Sequence, residues 1–348
     1  MNTATTEKPK TANPAISAIS ASPQPIGLDI GNGALKLVAG IGEYRLDSYI
    51  CYLPEKLSLG ISPGYVEYIE GTRNDLAGKQ WTGGIEAYYT DMRGIERVTD
   101  TKDGKVTLGL QLLLSALTLL PHRSELSLSV TCSVHDGRTL GAALKAALEG
   151  DHTVMLNGKR SVVSVAVNGV LEEGTGAVIA YQKQANFTNG LVYDLGNGTL
   201  IVSSFRGLAL VDRTYSQNGG VESLIDAIAA NPLVRQKLLK EGDRHLIRAG
   251  IEARSFTYGT QYPDWDFSEA YKAELPRWVD RVLKPIVRPT EERMHSATAL
   301  ISIGGGACLP GIASLLAKRN IQVLPDPQWA NARGLYTYAV RKVAAMEV

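Results

Sequence analysis

Apolar residues in this chain come in short runs that end on glycine, and one such arrangement occurs twice. "PIGLDI" and "LKLVAG" flank a Gly-Asn-Gly at 31–33, which predicts two strands joined by a tight hairpin. "YVEYIEG" and "KQWTGG" predict short strands in an excursion between about residues 60 and 90. From Val106 to Leu120 the chain is apolar on nearly every side, the pattern of a buried helix. "LSLSVTCSV" predicts a strand, and Leu140, Ala143, Leu144, Ala147 and Leu148 then follow helical spacing, with Asp136 as cap and Gly150 as stop. "RSVVSVAV" is again strand-like.

The pattern restarts at Gly190 with "GLVYDLGNGTLIVSSF", a second strand-hairpin-strand. Val221, Leu224, Ile225 and Ile228 predict a short amphipathic helix, and Trp278, Val279, Val282, Leu283 and Ile286 another. "SFTYGTQYPDWDF" reads as loop or edge strand, its aromatics serving a protein contact or local core. "ALISIGGGACLPGI" is a strand opening into glycines and a helix, "IQVLP" a strand, and "GLYTYAVRKVAAM" a final helix. Each half thus opens with a hairpin carrying Asp-x-Gly-Asn-Gly and continues with alternating strands and helices. The predicted fold class is α/β in two related halves with a ligand cleft between them. The expected divisions are a leader at 1–24, a first domain at 25–187 with the small outer subdomain at about 60–90, and a second domain at 188–348 whose last helix packs back on the first.

Composition narrows the function classes. A length of 348 residues suits two domains. With 36 basic and 35 acidic side chains the net charge is +1, so neither direct nucleic-acid binding nor attraction to a membrane surface is expected. Cys51, Cys132 and Cys308 are scattered and odd in number, which fits a reducing, cytoplasmic compartment without structural zinc. No run is long and apolar enough to span a bilayer, and no signal-peptide pattern is present. The Ala-, Ser-, Thr- and Pro-rich start predicts a disordered leader.

The chemistry lies in the glycines. A glycine turn lets backbone N–H groups approach an anion without a side chain between them, so Gly31, Asn32 and Gly33, with Gly196, Asn197 and Gly198, are candidate phosphate grips. Each turn sets a carboxylate one strand-end away, Asp29 and Asp194. Carboxylates beside phosphates make sense with a hard cation such as Mg²⁺ between them, held largely through its waters. Lys36 would supply fixed positive charge, and Thr199 a hydroxyl. Gly304, Gly305 and Gly306, between a strand and a helix, suit the approach of a nucleoside, with Gly219 and Gly220 nearby. Taken singly, each glycine cluster is equally an ordinary turn; three in one chain argue for a nucleotide.

These residues resemble the actin/Hsp70/sugar-kinase ATPase superfamily. Asp29–Lys36 resembles its first phosphate loop, Asp194–Thr199 its second, and "GGGA" from Gly304 its adenosine loop. "IGLDIGNGALKLV" and "VEYIEGTRNDLAGKQWTGGIEA" look most like the ParM/StbA plasmid-partition actins and their archaeal relatives. "VAVNGVLEEGTGAVIAY" resembles the connecting segment that carries the hydrolytic glutamate, matched by Glu173 with Glu172 as competitor. "NARG" at 331–334, placed in the last loop before the final helix, resembles the second connecting region or is a polar cap turn. The resemblance implies an actin-like (ribonuclease H-like) two-lobed fold, ATP or ADP with Mg²⁺ in the cleft, Asp29, Glu173 and Asp194 as catalytic residues, and ATP-dependent filaments. It implies a DNA-binding adaptor as partner and a role in plasmid segregation or cytoskeletal positioning. The competing expectations are a non-polymerising PilM/FtsA-like recruitment module and a small-molecule kinase or exopolyphosphatase.

Overall fold

The computed structural model describes residues 22–54, 62–262 and 264–346. Residues 1–21 of the expected leader lie outside them. Among the described residues fifteen strands form two sheets. The first sheet holds β1 (Gln24–Ile30), β2 (Ala34–Ala39), β3 (Gly42–Asp47), β4 (Tyr49–Tyr52), β5 (Tyr65–Gly71), β6 (Gln80–Gly83), β7 (Ile95–Arg97), β8 (Glu125–Val134), β9 (Gly150–Leu156) and β10 (Lys159–Glu172). The second holds β11 (Asn189–Leu195), β12 (Leu200–Arg206), β13 (Ala209–Tyr215), β14 (Ala299–Ile303) and β15 (Gln322–Val323).

The duplication suggested by the two hairpins extends to topology. One side of the first sheet runs β3-β2-β1-β8-β10 and the whole second sheet runs β13-β12-β11-β14-β15. In each, three antiparallel strands are followed by two that join in parallel. The first sheet then continues through β9 into β5-β6-β4-β7, so the excursion expected at 60–90 is carried by strands from Tyr49 to Arg97 that extend the main sheet.

The helix predicted from Val106 runs Gly104–Leu117 and buries its leucines under the first sheet. Asp136 caps Gly137–Leu148 by accepting from Thr139 N at 3.1 Å, as its sequence position predicts. The helix ends at Leu148 with Gly150 directly after its C-cap, as expected, and Gly150 also starts β9, a strand the sequence pattern did not show. β13 was missed as well. Its inner positions carry polar groups, Arg213 among them, so it presents no apolar alternation. The aromatic stretch 255–267 resolves into local core: Tyr258 and Phe267 are buried in the second-lobe cluster, and Phe256, Tyr262 and Trp265 pack against it.

The final helix is Ala330–Met346, so "NARG" belongs to its first turns rather than to a preceding loop. This helix crosses back onto the first sheet at glycine contacts. A Cβ on Gly27 of β1 would lie 2.3 Å from Tyr336 N, and one on Gly334 would lie 1.7 Å from Gly176 O in the helix Thr175–Tyr181. Only residues without a side chain allow backbones that close.

Candidate functional site

The two hairpins place their turns at the facing ends of the two sheets. In the first, Gly31 N donates to Ala34 O, and strand register sets Asp29 directly opposite Lys36. Lys36 Nζ donates to Asp29 Oδ2 at 3.3 Å. In the second, the register partner of Asp194 is Ile201. The site therefore has one lysine on its hairpins because an isoleucine occupies the matching position of the other. The turns also meet each other. A Cβ on Gly33 would lie 2.9 Å from Asn197 Cβ, and one on Gly198 would lie 2.8 Å from Asn32 Nδ2.

Between the sheets lies a cavity of about 650 Å³. Asp29, Gly31, Asn32, Gly33 and Lys36 line it from the first half, and Asp194, Gly196, Asn197, Gly198 and Thr199 from the second. Gly304, Gly305, Gly306 and Glu173 complete the set of sequence candidates on its wall. Gly219 and Gly220, expected beside a nucleoside, are not part of the wall. Gly220 sits behind the second turn, where a Cβ would meet Asn197 O, Gly196 O and Thr199 N at 2.5–2.6 Å. Its carbonyl accepts from Trp278 Nε1 at 3.0 Å. Gly220 thus supports the turn from behind, because the close approach of two backbones needs glycine there, while Gly219 takes a positive φ of 81°.

The two candidate glutamates separate cleanly. Glu173 follows the end of β10 and faces the cavity, whereas Glu172 points away, accepting from Gly137 N and from Arg213 Nη1, each at 2.9 Å. Gly174 at φ 88° then turns the chain into the helix Thr175–Tyr181.

Sequence reasoning missed Lys105 and Arg248 on the wall and left Asn331 of "NARG" between a connecting region and a cap turn. Lys105 opens the helix Gly104–Leu117 and ion-pairs with Glu173. A lysine in the first turn of an otherwise apolar helix opposes the helix dipole, and that was the available signal for a buried carboxylate partner. Arg248, from the helix Arg244–Glu252, donates to Asn197 Oδ1 at 2.8 Å and stands 3.3 Å from where a Gly33 side chain would begin. Its Nε is buried without a partner. Asn331 donates from Nδ2 to Asp29 Oδ1 at 3.1 Å and to Ser133 Oγ at 3.0 Å, fixing the first carboxylate from the final helix.

Asp29, Glu173 and Asp194 thus share the cavity wall with Lys36 and Lys105, among other charged groups. Burial raises the Asp194 carboxyl, with Glu173 and Asp29 adding to the effect, to about 7. Burial alone would lower Lys105, but Glu173, Asp29 and Asp194 hold its ammonium above the ordinary value. Among the described residues no three His, Cys, Asp or Glu side chains stand close enough together to ligate a metal directly. A cation held through its waters fits this spaced carboxylate set; one held by a full set of protein ligands does not.

Residues 27–176 match the family model of the N-terminal domain of actin-like proteins. Among solved structures the chain is similar to an archaeal actin homologue, Ta0583, at 19% identity and TM-score 0.68, covering 91% of this chain and 99% of that one. It is similar to Bacillus thuringiensis ParM with ATP at 16% identity and TM-score 0.67, covering 94% and 100%. A ParM from Clostridium botulinum, solved as a 15-stranded filament, is similar at 13% identity and TM-score 0.65, covering 92% and 100%. No curated protein matches.

Proposed function

We infer, for a chain with the actin-like fold, that the cleft binds ATP and hydrolyses it, and that the protein assembles into filaments that position DNA or another cell component. The observation that carries this reading is the meeting of two Asp-x-Gly-Asn-Gly turns, from opposite halves of the chain, at one cavity within the usual size range of ligand sites. The similar Bacillus thuringiensis protein was solved with ATP and the Clostridium botulinum one as a filament, which supports both halves of the proposal.

The amides of Gly31–Gly33 and Gly196–Gly198 would hold the β- and γ-phosphates, with Lys36 supplying fixed charge and Thr199 a hydroxyl. Gly304–Gly306 admit the nucleoside without a side chain in the way. Asp29 and Asp194 would hold Mg²⁺ through its waters, and that ion, when bound, neutralises phosphate charge. Glu173 orients and polarises the attacking water, and Lys105 pairs with its carboxylate and holds it at the cleft. Asn331 fixes the rotamer of Asp29. Phosphoryl transfer to water asks the protein for position and charge more than for covalent chemistry, and these groups supply both. A net charge of only +1 fits a DNA partner reached through an adaptor protein.

The test is light scattering and electron microscopy of the purified protein with ATP and Mg²⁺, with phosphate release followed in parallel. Filaments should form above a threshold concentration, and Glu173→Ala should assemble while releasing phosphate far more slowly. Absence of both nucleotide binding and assembly would overturn the reading.

A further inference from the structure

Arg213 belongs to β13 of the second lobe, yet most of its hydrogen bonds go to the first. Its side chain is 6% exposed. Within its own lobe, Nε donates to Ser203 Oγ of β12 at 2.9 Å. Across the lobe boundary, Nη1 donates to Glu172 Oε2 at 2.9 Å and to His135 O, and Nη2 donates to Glu173 O at 2.8 Å. Tyr215, two residues on, also donates to His135 O, at 3.3 Å. The guanidinium therefore ties the ends of β8 and β10 to the second sheet at the point where Glu173 leaves it.

The Glu173 backbone is held from both lobes at once. Its N–H donates to Val134 O of the first lobe at 3.1 Å, and its carbonyl accepts from Arg213 of the second. Any rotation of one lobe against the other must shift one of these anchors relative to the other. The same second-lobe strands carry the second glycine turn. β12 begins at Leu200, one residue after Thr199, and Leu200 N donates to Ser216 Oγ just beyond β13 at 2.9 Å. Ligand contact at that turn is thus connected through two short strands to the guanidinium.

We propose that Arg213 is a positioning residue that sets the aim of Glu173 and couples lobe closure on the nucleotide to phosphate release. The inference rests on the reading of Glu173 as the residue that orients water. A planar five-donor fork suits this task, because one side chain must serve two carbonyls, a carboxylate and a hydroxyl in fixed directions. Displacement of a reacting group by about 1 Å costs up to about a hundredfold in rate.

The experiment measures ATP affinity and single-turnover phosphate release for Arg213→Met, alone and in a Glu173→Gln background. Arg213→Met leaves Glu172 without its cation, so Arg213→Met/Glu172→Met is measured as well, a pair that leaves no buried charge unpaired. The expected result is phosphate release slowed about tenfold to a hundredfold with ATP affinity held within about twofold, and no further slowing when Glu173 is already Gln. Equal slowing in both backgrounds, or unchanged release with Glu173 present, would overturn the role of Arg213. Unchanged release in Glu173→Gln alone would instead remove the reading of Glu173, and the inference with it.

Discussion

The buried carboxylate of Asp194 should show itself in the pH dependence of stability. Asp194 is buried beside Glu173 and Asp29, and burial together with these two carboxylates outweighs the opposing pull of Lys36 and Lys105. Burial, and then the other two carboxylates, push Asp194 up to about 7 from an ordinary 3.8. Between those values the folded cluster keeps a proton that the unfolded chain releases. Stability therefore falls as pH rises through this window and levels off above the folded value. The full shift corresponds to about 4 kcal/mol. Because the Asp194 side chain keeps some access to the open cleft, about 2 kcal/mol is the expected size. Asp194→Asn has the same shape and cannot ionise. Urea unfolding of both nucleotide-free proteins, from about pH 4 to about pH 8, should show the Asn variant gaining on the wild type by that amount, most of it below about pH 7. A stability difference that stays flat across the range would refute the burial of Asp194 beside two other carboxylates in this cleft.

Two further outcomes follow from single contacts. Lys105→Met removes the ion-pair partner of Glu173 and should cost about 3 kcal/mol in unfolding free energy, more at high pH than at low, because a buried carboxylate is left unpaired. A loss that does not depend on pH would contradict that cause. Gly334→Ala places a Cβ 1.7 Å from Gly176 O and should lower stability by about 3 kcal/mol, read as a drop in thermal midpoint. A surface variant such as Arg45→Ala, which breaks an exposed pair with Glu252, should change the midpoint little and serves as the control.

How much of the site could be read from the chain depends on the range of the interactions involved. The two hairpins are local objects. Glycine at the turn and apolar residues beside it specify both strands, and the spacing from Asp29 to Lys36 already makes them cross-strand partners once the turn is placed. Asp136 was legible as a helix cap for the same reason. Gly219 and Gly220 were legible as important but not as to purpose. A pair of glycines marks close approach, and nothing in the local pattern says whether the neighbour is a ligand or, as here, the backbone of residues 196–199. Glu172 and Glu173 differ by one position in sequence, and only the exit of β10 decides which of them faces the cavity.

What the sequence by itself determined, then, is a duplicated α/β chain with the same glycine turn in each half, because strand periodicity and turn chemistry act over a few residues. The tertiary structure decided the rest of the charge around them. Lys105, Arg213, Arg248 and Asn331 come from a helix start, an edge strand and two distant helices, and none has a partner within its own element. A buried charge is tolerable only beside its counter-charge. The identity of that counter-charge is set by which segments the fold brings together, and no periodicity along the chain encodes it.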